Sequence, residues 1–252
     1  MRLKGLRALI TGAASGFGKS MAERFASEGA NVALVDISKA ALDEVVATIE
    51  GSNGGSATGM KCDVTDPGQI NDAVSKFLGD GRIDVVVNNA GWSYRNQPLM
   101  EVDERTFRKV YEINVFAIYH MTRAIVPHWR ETGWGTMINI SSTAGIRPRP
   151  GLAWYNSTKG AVNSLTQSLA IELAPDNIRV CAIAPVLGRT GLTEAFLGGP
   201  ETPEVLDTFV STIPQGRLCT GDDVASAAVF LASSEANFLT GVILPVDGGR
   251  CI

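Results

Sequence analysis

Histidine is scarce in this 252-residue chain, with two copies, and its four cysteines are scattered. Cys62, Cys181, Cys219 and Cys251 form no C-x-x-C pair and have no histidine beside them at ligand spacing, so no metal site is expected. The thiols read as reduced packing residues of a cytoplasmic protein. His120 and His128 fall within one long helical pattern and read as packing residues too.

Long apolar runs are also missing. No window approaches the roughly 18 to 20 apolar residues that a membrane-spanning helix needs. The apolar stretch near the start ends at Thr11-Gly12, too short for the hydrophobic part of an export signal, so a soluble protein with no membrane partner is expected. Nor is there a basic run. With 22 Lys+Arg against 26 Asp+Glu the net charge is -4, which argues against nucleic acid as a partner.

What the chain does have is apolar content, 45% against 19% charged residues, enough to build a substantial core. Short β-branched runs alternate with longer amphipathic segments throughout, the pattern of repeated βαβ units. The expectation is an α/β fold: one doubly wound Rossmann-type domain over 1–252, a seven-stranded, mostly parallel sheet with helices on both faces. Strands are predicted at 8–11, 31–36, 57–62, 83–88, 135–141, 178–184 and 242–246. Several are continuously apolar, as Ile83-Asp-Val-Val-Val87 shows, which fits a sheet covered on both sides. Ser38 and Thr220 read as helix starts, the latter followed by Asp222-Asp223. The stretch 186–213, broken by glycines and prolines, reads as an irregular mobile lid.

The first predicted strand runs into Thr11-Gly-Ala-Ala-Ser-Gly-Phe-Gly18 and then a helix. Gly12, Gly16 and Gly18, with Ser15 and Phe17 between them, suit a tight turn that brings backbone N–H groups and a helix N-terminus onto a pyrophosphate. Asp36, at the end of the second strand, stands where a carboxylate takes both adenosine ribose hydroxyls and repels a 2′-phosphate. Ile37 follows it, not arginine, so the cofactor expected is NAD. Lys19, the basic residue nearby, reads as a solvated helix residue. Asp63-Val64 follows the third strand, where Asp63 is either a cap for the adenine amino group or a turn residue.

These motifs, together with Asn88-Asn-Ala-Gly91, Asn114, Ile140-Ser-Ser142, Tyr155-Asn-Ser-Thr-Lys159, Pro185 with Thr190, and Val246-Asp-Gly-Gly249, resemble the short-chain dehydrogenase/reductase family over the full length. The resemblance implies a homotetramer and a hydride transfer between nicotinamide and a small alcohol or carbonyl compound. It implies that Tyr155 is the general acid/base, that Ser142 hydrogen-bonds the substrate oxygen, and that Lys159 holds the nicotinamide ribose. Asn114 would hold a water linking Lys159 to solvent, Asn89, Ala90 and Gly91 would turn against the cofactor, and Thr190 would bond the carboxamide. Ala184-Pro185-Val186 departs from the family's Asn-Pro-Gly, so the loop carrying Thr190 is expected to take its own path.

Tyr155 and Lys159 are four apart in a helical segment and so share a face. An ammonium there favours the phenolate and is expected to bring a phenol of pKa about 10 toward working pH. Ser142, thirteen residues earlier, ends the fifth predicted strand, where parallel sheets meet ligands.

The family's substrate side maps onto 93–96, 146–149, Trp154 and the lid. Arg95, Arg147 and Arg149 raise the idea of an anionic substrate held by guanidinium groups, or else are solvated or in subunit contacts. The local pattern is similar to a subgroup of bacterial catabolic dehydrogenases, some acting on benzylic alcohols with an anionic group, others called carrier-protein reductases or sugar dehydrogenases. Two further readings stay open: an NADPH-dependent 3-oxoacyl carrier-protein reductase, and a non-catalytic nucleotide-sensing protein on the same fold.

Overall fold

Strands buried on both faces need helices on both sides, and the computed structural model, which describes residues 1–52 and 54–252, supplies them. The chain runs β1 (Arg7–Thr11), α1 (Gly16–Ser27), β2 (Asn31–Asp36), α2 (Lys39–Glu50), β3 (Ala57–Lys61), α3 (Pro67–Gly79) and β4 (Val85–Asn88). It continues through α4 (Glu104–Tyr111), a π-helical turn (Glu112–Phe116), α5 (Ala117–Thr132), β5 (Gly135–Ile140), α6 (Ala153–Leu173) and β6 (Ile178–Pro185). The last elements are α7 (Thr193–Leu197), α8 (Pro203–Val210), α9 (Gly221–Ala232) and β7 (Ile243–Val246).

The described residues form one seven-stranded sheet in the order β3-β2-β1-β4-β5-β6-β7. Every neighbouring pair is parallel, so the expected mostly parallel sheet is parallel throughout. Strand order reverses between β1 and β4, which opens a crevice at the carboxyl ends of those strands. Successive residues send their side chains to opposite faces. In β1, Ala8 and Ile10 join Met21 and Phe25 of α1 and Val224 and Ala228 of α9, whereas Leu9 joins Ile70 of α3, Met121 of α5 and Ala170 of α6.

Local chemistry sets the boundaries. β4 begins two residues later than predicted because the fully buried Asp84 accepts the Arg7 N–H at 2.8 Å while its own N–H donates to the Arg7 carbonyl at 2.9 Å. Burial pushes the Asp84 carboxyl up, although Arg82 lies 2.6 Å away. Thr220 and Asp223 form a reciprocal capping box at the start of α9. Ser38 is the N-cap of α2 by position, with no side-chain bond.

The predicted irregular lid is corrected. Segment 186–213 contains α7 and α8, because its breakers act as helix signals: Gly198 ends α7 at φ 80, and Thr202 caps α8 ahead of Pro203. Val186 is buried, has no positive φ, and donates its N–H to the Val246 carbonyl at 3.1 Å. Valine thus fits the strand end here without the freedom of glycine.

Candidate active site

The carboxyl ends of β1, β4, β5 and β6 border a cleft of about 900 Å³, within the usual size range of cofactor and ligand pockets. At one end is the β1–α1 turn. Gly12 and Gly16 have φ of 64° and 54°, and a Cβ on Gly12 would stand 2.9 Å from the Ala90 Cα. A Cβ on Gly18 would stand 2.1 Å from the Gly12 carbonyl oxygen, so this glycine serves helix packing and is not part of the cleft wall. Thr11 and Asn89 fasten the neighbouring loop. The Thr11 hydroxyl accepts the N–H groups of Asn89 and Ala90, each at 3.0 Å, and Asn89 Nδ2 donates to the carbonyls of Thr11 and Gly12 at 2.9 and 3.0 Å.

Ser15, the N-cap of α1, makes no side-chain bond to the helix, which leaves the first N–H groups facing the cleft wall formed by Ser15, Gly16 and Phe17. Asp36 and Ile37 line the same end. Asp36 is held rigid by backbone, its two oxygens accepting from Ala14 N at 3.1 Å and Ser38 N at 3.0 Å. Lys19 lies within 3.9 Å of Glu23 on the helix surface and takes no part in the lining. Asp63 and Val64 do line the cleft, and Asp63 is also a turn residue, accepting from Thr65 N and Oγ1 at 2.9 and 2.8 Å. A glycine cradle, unpaired N–H groups and a fixed carboxylate together fit a nicotinamide dinucleotide.

Ser142, Tyr155 and Lys159 meet in the middle of the cleft. Tyr155 and Lys159 are buried on one face of α6, with Lys159 Nζ 5.8 Å from the Tyr155 ring centroid. Nζ donates to the Ile140 carbonyl at 2.8 Å, pinning it against the end of β5. Burial pushes the Tyr155 hydroxyl up to about 12, against the pull of a hydrogen bond with Ser142, and holds the Lys159 ammonium down to about 8. In the protein alone, desolvation is thus the largest influence on the Tyr155 hydroxyl, with the Ser142 hydrogen bond opposing it.

Asn114 is buried in the π-helical turn. Its side chain is committed to protein partners, accepting from Trp92 N at 2.8 Å and donating to Trp92 O and Thr158 Oγ1 at 3.0 Å each. The carboxamide therefore clamps the loop after β4 to α6. Gly91, Ala90, Pro185 and Thr190 line the cleft as expected, and the Thr190 hydroxyl accepts the Leu192 N–H at 3.2 Å.

The substrate-side candidates divide. Arg95 donates to the Gly198 carbonyl at 2.7 Å, Arg147 donates to the Arg250 carbonyl at 2.5 Å, and Trp154 packs edge-on against Phe107; all three lie outside the cleft lining. Arg149 lies within it, as do Trp92, Leu152, Phe196 and Phe209, which sequence reasoning did not single out. Trp92 could have been found, since it directly follows Gly91; Phe196 and Phe209 carry no local signal and arrive through α7 and α8.

Comparison with known proteins gives a consistent picture. A family model described as enoyl-(acyl carrier protein) reductase matches residues 12–250. The 4-formylbenzenesulfonate dehydrogenase of Comamonas testosteroni is 41% identical, covering 100% of both chains. The 3-oxoacyl-[acyl-carrier-protein] reductase of Thermotoga maritima is 40% identical, again over 100% of both. Among solved structures, the 3-ketoacyl-(acyl-carrier-protein) reductase of Brucella melitensis in complex with NADH superposes with a TM-score of 0.92 at 44% identity, covering 99% of this chain and 100% of that one.

Proposed function

The chain belongs to the short-chain dehydrogenase/reductase family, and on that premise we propose that it is an NAD(H)-dependent oxidoreductase acting on a small alcohol or carbonyl compound. The observation that carries the reading is the convergence of Ser142, Tyr155 and Lys159 at the centre of one cleft whose far end holds the fixed Asp36 carboxylate. The bound nicotinamide would take or give the hydride.

The residues of the chain handle the oxygen and its proton. Ser142 and the Tyr155 hydroxyl hold the substrate oxygen between them; in reduction the hydroxyl gives its proton to the carbonyl oxygen, and in oxidation the Tyr155 phenolate, formed once its proton has been passed on, takes the alcohol proton. Lys159, fixed by Ile140, sets the electrostatics beside that hydroxyl and is poised by burial to exchange a proton near neutrality. Gly12, Ser15, Gly16 and Phe17 would hold the pyrophosphate, Asp63 and Val64 the adenine, Asn89, Ala90 and Gly91 the central ribose region, and Pro185 and Thr190 the carboxamide. Segment 186–213 covers the substrate through Phe196 and Phe209.

NAD is favoured over NADP because Asp36 presents a carboxylate with both oxygens already oriented, while Lys19 is turned to Glu23. The carrier-protein reductase reading has support in the reductases to which the chain is similar. Asp36 argues against its NADPH-dependent form. Initial rates with NAD and NADP over secondary, benzylic and polyol alcohols, beside reduction of a 3-oxoacyl thioester, test the proposal. A kcat/KM for NAD about tenfold or more above that for NADP is expected; equal use of the two would overturn the cofactor assignment.

A further inference from the structure

Arg149 is a half-buried guanidinium that lines the cleft at the end away from Asp36, among Leu152, Phe196 and Phe209. Among the described residues its side chain has neither a hydrogen-bond acceptor nor a carboxylate partner. Its contact is the Phe209 ring, 4.7 Å from the guanidinium carbon to the centroid. Arg250 packs on the same ring at 5.3 Å, so two cations share one aromatic side chain.

Besides Lys159 and Arg149, the lining has two basic residues, Arg105 and Lys109 of α4, the latter stacked on Trp92 at 4.2 Å; the other arginines predicted for the substrate side and Arg189 are occupied. Arg95 and Arg147 donate to backbone carbonyls, and Arg189 lies 3.9 Å from Glu201. Asp247 is the carboxylate near Arg250, and its oxygens accept from the N–H groups of Gly249 and Cys251 at 3.0 and 2.8 Å. Burial and the neighbouring Arg250 both press against the charge of Arg149. A guanidinium cannot shed its proton in answer, so an anion is what would relieve the site.

The position is also built. Asn156 Nδ2 donates to the Arg149 carbonyl at 2.8 Å, so the backbone that carries the guanidinium is tied to the first turn of α6, one residue from Tyr155. The walls between Tyr155 and Arg149 are apolar and aromatic.

We propose that Arg149 is the specificity-determining residue of this cleft, and that the substrate is an alcohol or carbonyl compound with an apolar body bearing a carboxylate or similar singly charged oxyanion. This rests on the dehydrogenase reading above. The oxyanion pairs with Arg149, the body lies against Leu152, Phe196 and Phe209, and the reacting oxygen reaches Ser142 and Tyr155.

The test uses 4-(hydroxymethyl)benzoate and its neutral methyl ester, measured both by calorimetric binding to the enzyme with NADH and by NAD-dependent oxidation, in wild type, Arg149→Gln and Arg149→Lys. Wild type should prefer the anion by about 10- to 100-fold, the scale of one charge-assisted hydrogen bond. Arg149→Gln should bring that ratio close to one, and Arg149→Lys should restore part of it. An anion no better than its ester, or a preference that survives Arg149→Gln, overturns the proposal. Binding that follows this pattern with neither compound oxidised supports the anion subsite and counts against the dehydrogenase reading.

Discussion

Asn114 holds Trp92 by both of its backbone groups, Oδ1 accepting the Trp92 N–H at 2.8 Å and Nδ2 donating to the Trp92 carbonyl at 3.0 Å. The pairing imitates a strand neighbour for a residue that has left β4. Nδ2 also reaches Thr158 Oγ1 at 3.0 Å, so the loop after β4 is tied to the helix that presents Tyr155 and Lys159.

Asn114→Ala leaves three polar groups without this partner, the half-buried N–H and carbonyl of Trp92 and the buried Thr158 hydroxyl. It should cost about 1–3 kcal/mol of stability, a drop of several degrees in a thermal melt, and should lower kcat as the Tyr155 face loses its brace. A variant melting with the wild type would show that the clamp is not needed.

Tyr155→Phe removes the hydroxyl proposed to handle the proton and little else, since the ring stays packed against Phe196 with centroids 5.0 Å apart. Turnover should fall by about 10²- to 10⁴-fold, the usual worth of a positioned acid/base. NADH affinity, read by fluorescence titration, should move by less than about threefold. Retained turnover would remove Tyr155 from the chemistry.

Lys159 makes stability depend on pH in a definite direction. Its ammonium falls from 10.5 to about 8 on burial, so between those values the unfolded chain binds the proton and the folded one does not. Stability from this group therefore rises as pH climbs through that window. Against Lys159→Met, wild type should gain in melting temperature from pH 8 to pH 10, a comparison in which the titrations of the cysteines and of the tyrosines other than Tyr155 cancel. A flat or falling difference contradicts a lysine poised by burial.

The legible parts of this molecule were those governed by short-range rules. β1, β2 and the glycine turn could be read because continuous apolar runs and Gly12, Gly16 and Gly18 have local meanings. Tyr155 and Lys159 could be placed together because helical spacing fixes their common face. The substrate end was hidden, because Arg95, Arg147 and Arg149 look alike in sequence and differ only in what the fold brings to them: a Gly198 carbonyl, an Arg250 carbonyl, and the Phe209 ring. The burial of Tyr155 was hidden for a related reason, since desolvation is a property of the packed state.

Asp36 can be tested without relying on absolute activity. Asp36→Asn removes the charge and keeps one of the two acceptor oxygens, so one of the N–H groups of Ala14 and Ser38 loses its partner and the cofactor ratio, not the absolute rate, is what is read. The ratio of kcat/KM for NADP to that for NAD should rise by about ten- to a hundredfold, the scale of one charge repulsion removed near a protein surface. An unchanged ratio would mean that Asp36 does not choose the cofactor.

Two glycines give opposite predictions for the same substitution. A Cβ on Gly18 would collide with the Gly12 carbonyl oxygen at 2.1 Å and Asn89 Nδ2 at 2.5 Å, atoms held by the hydrogen bonds that shape the cofactor end of the cleft. Because backbone cannot yield there cheaply, Gly18→Ala should cost about 2 kcal/mol or more and weaken NADH binding at the same time. Gly160 lies inside α6 with nothing within 4 Å of its would-be Cβ. Gly160→Ala should therefore add about 0.5–1 kcal/mol through helix propensity alone, raising the melting temperature by about 1–4 °C with NADH affinity unaltered. If both variants melt lower, another surface packs on Gly160; if both melt as wild type, the close approach of α1 to the glycine turn is not a constraint on the fold.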